Sequence, residues 1–174
     1  MGEWTRILGI DPGSRVTGYG LIDSNGAATR YVASGCIRTE GEDLPPRLKM
    51  IFDGVRALVL EYRPMEVAIE KVFFHRNADS ALKLGQARSA AICATFADAV
   101  GVHEYAARAV KQAVVGLGGA DKPQIQHMVR ALLRLPLALA PDEADALAVA
   151  LCHAHTRPLA SRLKAAARLT VVRR

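Results

Sequence analysis

At 174 residues the chain is the size of one domain, which excludes a large multidomain machine. Apolar residues make up 51% of it and charged residues 23%, so a packed core is available and wholesale disorder is excluded. The net charge of +6 suits a polyanionic partner, and three scattered cysteines without a CxxC pair (Cys36, Cys93, Cys152) point to a reducing cytoplasm and away from a disulfide scaffold.

The apolar run at residues 6–10 stops at Asp11-Pro12-Gly13 and predicts a buried strand that ends in a turn. Residues 16–23 and 28–38, separated by Ser24-Asn25-Gly26, predict two further strands and an antiparallel opening. The spacing Leu44, Leu48, Ile51, Val55, Leu58 predicts an amphipathic helix, with Pro45 and Pro46 tolerable in its first turn and Pro64 beyond its end. Residues 65–70 read as a fourth strand, Asn77 to Ala99 as a long Ala-rich helix, and Val102–Tyr105 as a fifth strand. Residues 106–116 form a short helix, and Gly116 to Gly119 a loop. Asp121 N-caps a helix to about Leu135, Pro136 and Pro141 bracket a linker, and residues 142–155 form a last helix. The order β-β-β-α-β-α-β-α-α-α is that of an α/β domain, one mixed five-stranded sheet flanked by helices, over residues 1–156. Residues 157–174 read as a basic, partly disordered tail. No apolar stretch reaches the roughly 20 residues of a membrane span, and the first residues lack a signal-peptide apolar region, so a soluble cytoplasmic protein with no membrane partner is expected.

Charge is unevenly spread: −2 over residues 1–70, +5 over 71–134, −3 over 135–156 and +6 over the tail. A central basic zone plus a basic tail suits a nucleic acid; a solvated surface with an arbitrary tail is the plainer alternative.

Four carboxylates fall where such a fold gathers side chains: Asp11 ending the first strand, Glu70 ending the fourth, and Asp142 with Asp145 opening the last helix. Singly, Asp11 reads as a turn initiator, Asp142 as an N-cap and Asp145 as a helix-dipole partner. Glu70 resists such a reading, because it follows Val67, Ala68 and Ile69. Asp142 and Asp145, three apart, share one helical face. If the first and fourth strands are neighbours, four oxygen donors converge, and hard oxygen ligands suit Mg²⁺ or Mn²⁺ better than zinc. A two-ion carboxylate site serves displacement at a phosphodiester.

Asp11, Gly13, Gly18 and Gly20 also fit the phosphate-holding hairpin of actin-like and sugar-kinase ATPases, but 174 residues leave no room for their second half. A P-loop is excluded, since Tyr19-Gly20 stand where Lys-Ser/Thr belong. The five histidines show no zinc spacing and read as ordinary surface or core residues. Phe73-Phe74-His75-Arg76 leaves a strand with two adjacent aromatics, at least one of them exposed on alternation grounds. It serves either as a wedge into a base stack or as a loop anchor under the long helix. Lys111 and Lys122 flank the glycine loop and can reach phosphates from two sides; solvated lysines are the plain alternative. Ala78, Ala81, Gly85 and Ser89 form a small-residue stripe, either a dimer seam or a helix-to-sheet contact.

Together, ILGIDPGSRVTGYG (7–20), SGCIRT (34–39), LPPRLKMIF (44–52), AIEKVFFHRNADSALKLGQARSAA (68–91), EYAARAVKQAVVG (104–116) and DEADALAVA (142–150) closely resemble the RuvC family of bacterial crossover junction endodeoxyribonucleases. The resemblance implies a ribonuclease H-like fold, a homodimer, and Mg²⁺-dependent nicking of two opposed strands of a Holliday junction. The nicks leave 5′-phosphate and 3′-hydroxyl ends, in recombination and repair. Mn²⁺ is expected to substitute for Mg²⁺, and two ions are expected in each site. The family's acidic ligands match Asp11, Glu70, Asp142 and Asp145; some relatives carry His where this chain has Asp142. Phe73 matches the aromatic inserted at the junction, with Phe74 and Arg76 beside it, and Lys111 and Lys122 match residues tied to DNA binding and catalysis. Cooperation with the RuvAB branch-migration complex is implied by resemblance alone.

Overall fold

The computed structural model describes residues 3–72, 77–98, 100–136 and 139–171, with side chains as far as Arg157. The three opening runs pair as an antiparallel meander, β1 (Thr5–Asp11), β2 (Val16–Ser24) and β3 (Thr29–Arg38). Helix α1 (Leu44–Tyr62) then returns the chain to β4 (Glu66–Lys71), parallel to β1. Helix α2 (Ala78–Cys93) leads to β5 (Gly101–Ala106), parallel to β4, and α3 (Ala107–Val115), α4 (Lys122–Leu133) and α5 (Pro141–Val171) complete the chain. The sheet order is β3-β2-β1-β4-β5. Thus β1 and β4 are neighbours, the condition on which convergence of the carboxylates rested.

Strand alternation sorts the core into two layers. Leu8, Ile10, Leu21, Val67 and Ile69 face α1 and α2, where Ile51, Val55, Val59, Ala87 and Ala91 meet them. Ile7, Ile22 and Ala68 face the other way, onto α3, α4 and α5 through Val110, Ile125, Val129, Leu147 and Leu151.

Local chemistry sets the helix ends. The Asn77 side chain accepts from the backbone N–H groups of Asp79 and Ser80, and Asp121 with Gln124 forms a reciprocal capping box. Two helix boundaries differ from the sequence reading. Helix α2 stops at Cys93, not Ala99, because Thr95 folds back: its N–H and its hydroxyl both donate to the Ile92 carbonyl, at 3.0 and 2.8 Å. A 3-10 turn, Phe96–Asp98, follows, and Ala99 lies outside the described residues. Helix α5 runs to Val171, not 155; the Ala, Leu and Arg residues beyond Pro158 have high helix propensity and offset the one backbone bond that proline forfeits.

Helix α5 packs closely against the β1–β2 hairpin. Gly9 pairs with Gly20 and Asp11 with Gly18 across the hairpin. A Cβ on Gly9 would stand 2.2 Å from the Ala146 carbonyl oxygen, one on Gly18 2.0 Å from that of Asp142, and one on Gly20 2.6 Å from Leu147 side-chain atoms. These glycines leave room for the helix backbone itself. Gly9→Ala is expected to cost about 1–3 kcal/mol by overpacking, a drop in Tm of about 2–12 °C, checked by thermal melts monitored by circular dichroism.

Candidate active site

Asp11 shares the α5-facing side of β1 with Ile7 and Gly9, and Glu70 shares that side of β4 with Ala68. Each stands one residue beyond the paired Ile10 and Ile69, so the two carboxylates end adjacent parallel strands on one face. The first turn of α5 supplies Asp142, whose backbone lies over Gly18, the cross-strand partner of Asp11. Asp145 follows one turn later. Pro141 opens this helix, and the Glu143 carboxylate accepts the Ala140 N–H at 3.2 Å, fixing the entrance to α5.

The electrostatics record the crowding. Burial, then Glu70, Asp145 and Asp142, push the Asp11 carboxyl from its ordinary 3.8 up to about 7, with Lys122 acting against them. Burial and Asp145 raise Glu70, while Lys111 and Lys122 pull it down. The Lys122 ammonium lies 3.2 Å from the Asp145 carboxylate, which raises its own pKa. Four carboxylates against two ammonium groups leave a site two charges negative when fully ionised. An all-oxygen, anionic donor set of this kind fits a hard divalent cation. Beside it, Asp11, Pro12, Glu70, Lys71 and Ala107 border a pocket of about 130 Å³.

Residues that the sequence reading passed over hold this end in shape. The Arg88 side chain reaches from α2 to donate through Nε to the Glu70 carbonyl at 3.0 Å, and its Nη2 lies 2.7 Å from Glu104. Arg47, buried on the apolar stripe of α1, donates to the Ser14 carbonyl at 3.0 Å. The Thr17 hydroxyl donates to the Gly13 carbonyl at 2.8 Å, bracing the loop that follows Asp11. An arginine at position 47, four before Ile51 and eight before Val55, is the one signal that marked any of them in advance. Phe73, Phe74 and Arg76 lie outside the described residues.

Residues 7–153 match the family described as crossover junction endodeoxyribonuclease RuvC. The chain belongs to that family. It is 61% identical over 159 residues to the crossover junction endodeoxyribonuclease RuvC of Methylococcus capsulatus, a match covering 91% of this chain and 96% of the relative. The structure of Thermus thermophilus RuvC in complex with a Holliday junction substrate superimposes with a TM-score of 0.83 at 34% identity, covering 90% of this chain and 96% of that one. The yeast mitochondrial Holliday junction resolvase, at 12% identity and a TM-score of 0.65 over 91% of this chain and 86% of that one, shares the fold alone. The fold is therefore ribonuclease H-like, and membership of this nuclease family implies a divalent metal ion. Among the described residues, no helix is long and apolar enough to cross a membrane.

A raised carboxylate pKa has a definite sign in stability. Between pH 3.8 and about 7 the native state keeps a proton on Asp11 that the unfolded chain has lost. Metal-free protein is therefore expected to lose stability as pH rises through that window. Asp11→Asn is expected to flatten this slope and to stabilise the metal-free protein at pH 8 by about 1–3 kcal/mol, read from urea titrations at several pH values.

Proposed function

We propose that the chain is a metal-dependent endodeoxyribonuclease that resolves four-way DNA junctions in recombination and repair. The observation that carries this reading is the gathering of four half-buried carboxylates from β1, β4 and α5 at one end of the sheet, with two lysines near them. Asp11, Glu70, Asp142 and Asp145 would hold Mg²⁺, with Mn²⁺ as a substitute and two ions per site. When bound, such cations supply Lewis acidity, lowering the pKa of water and neutralising charge at a phosphodiester.

The chain's own groups do the rest. Water adds to the phosphorus and the bond to the 3′ oxygen breaks, leaving a 5′-phosphate and a 3′-hydroxyl. The attacking water's proton passes to solvent or to a neighbouring carboxylate, and the 3′ oxygen takes a proton from solvent. Lys111 and Lys122 orient the phosphate and offset its charge, and Phe73, Phe74 and Arg76 meet the junction DNA.

A four-way junction is close to two-fold symmetric, so a homodimer can present one site to each of two opposed strands. The outer face of α2 supports this assembly: Gly85 has open space where a Cβ would be, and Leu82 is 65% exposed beside a groove of about 910 Å³. A cytoplasmic setting and cooperation with the RuvAB branch-migration complex belong to the same reading.

End-labelled four-way junctions and matched linear duplexes on denaturing gels, with Mg²⁺, Mn²⁺ or chelator, test it directly. Paired symmetric ligatable nicks are expected in junctions alone and only with metal; metal-independent binding without cutting would overturn the reading. Glu70→Gln is expected to slow cutting by about a hundredfold or more while sparing junction binding, since even indirect supports of a metal site are worth about 10–100-fold. Lys122→Ala is expected to lower the slope of log affinity against log salt by about one.

A further inference from the structure

A second cluster of ligating groups lies on the same face of the sheet, at the opposite end of β4. Glu66 opens that strand, His103 stands in the middle of β5, and His153 projects from α5, two to three turns beyond Asp145. Their ligand atoms all lie within 4.8 Å of one another. The His153 ring is buried at 2% exposure, and its centroid is 4.3 Å from that of His103. Opposite Glu66 the register places Gly101, and a Cβ there would come within 3.6 Å of His103 Nε2.

We propose that Glu66, His103 and His153 form a second metal site, selective for a zinc-class divalent ion and separate from the carboxylate cluster. Two imidazole nitrogens and one carboxylate oxygen are a zinc donor set with a fourth position open to water, and imidazole favours Zn²⁺, Co²⁺ and Ni²⁺ over Mg²⁺. Zinc bonds of about 2.0–2.1 Å put tetrahedral ligand atoms about 3.3 Å apart, so adjustments of about 1.5 Å or less close the site. The metal would join β4, β5 and α5, three elements otherwise linked here through hydrogen bonds.

The surroundings of His153 suit a ligand. Without metal, its Nε2 donates to Glu66 at 2.7 Å and its Nδ1 accepts from the Tyr105 hydroxyl at 2.6 Å, which in turn accepts from Thr156 at 3.1 Å. Coordination through Nε2 requires the proton to move to Nδ1. The hydroxyl chain can then run in reverse, Nδ1–H to Tyr105, Tyr105 to Thr156, and Thr156 to the Cys152 carbonyl 2.9 Å away. The tautomer change therefore costs no hydrogen bond and releases no proton. Burial also holds His153 below the ordinary imidazole pKa against the pull of Glu66, with His103 and Arg157 helping, which keeps the ring in its metal-binding neutral form. Arg157 is the competitor: its Nε lies 3.0 Å from one Glu66 oxygen and 2.8 Å from the other.

The test uses untagged, chelator-treated full-length protein titrated with Co²⁺ in excess Mg²⁺, read by visible absorption. An intense tetrahedral band saturating at one equivalent is expected, bleached by Zn²⁺, with Zn²⁺ raising Tm by about 5–10 °C at a hundredfold excess over Kd. The band is expected to vanish in His103→Phe and Glu66→Gln, to persist in Glu70→Gln, and to appear at several-fold lower Co²⁺ in Arg157→Ala, where the competing cation is gone. No tetrahedral band in the wild-type protein would overturn the proposal. So would a band that survives His103→Phe or is lost in Glu70→Gln.

Discussion

A helix lies against a sheet at a distance set by the side chains between them. Across Gly9, Gly18 and Gly20 the sheet contributes none, so the α5 backbone settles directly onto the hairpin. That approach brings Asp142 over the strand position paired with Asp11, and it sets the depth to which Asp145 and the Lys122 ion pair are drawn in. The α5 side of the core, with Leu147 and Leu151 fully covered, holds the helix there.

The same approach opposes a repulsion. Four carboxylates at one end of a sheet disfavour one another, and that repulsion adds to burial in raising the Asp11 carboxyl. Burying one Leu or Ile side chain contributes about 1.5–3 kcal/mol, so the apolar layers on both faces outweigh the strain at the rim. The arginines act differently: Arg47 and Arg88 bind backbone carbonyls of Ser14 and Glu70 and add no cation among the acids. They shape the loop and strand ends and leave the negative field open for a cation.

Much of this was readable from the chain. Asp11 ends an apolar run at a turn, Glu70 ends another, and Asp142 with Asp145 opens a helix after a proline; strand alternation and helical spacing carry such information locally. The adjacency of β1 and β4 was only a condition in the sequence, and the parallel pairing of the two strands meets it. Unreadable features depend on groups distant in sequence. Thr95 ends α2 through a back-bond that propensity does not reveal, and Arg88 meets Glu70 only because two elements cross. Glu66, His103 and His153 have no motif spacing, since β4, β5 and α5 meet only in the fold. The hairpin glycines were visible as residues, and the phosphate-holding hairpin they also fit was set aside on length; their place under a helix was not readable.

Those glycines also bear on how the gene can vary. Every missense change at a glycine codon introduces a side chain with a Cβ, and at positions 9 and 18 that atom would meet backbone oxygen at 2.2 and 2.0 Å. A backbone atom cannot swing aside as a flexible side chain can. No amino-acid replacement at either position therefore leaves the packing undisturbed, although neither residue carries a functional group. Destabilising alleles should accumulate there, and a reader of such alleles who looked only for lost chemistry would miss them.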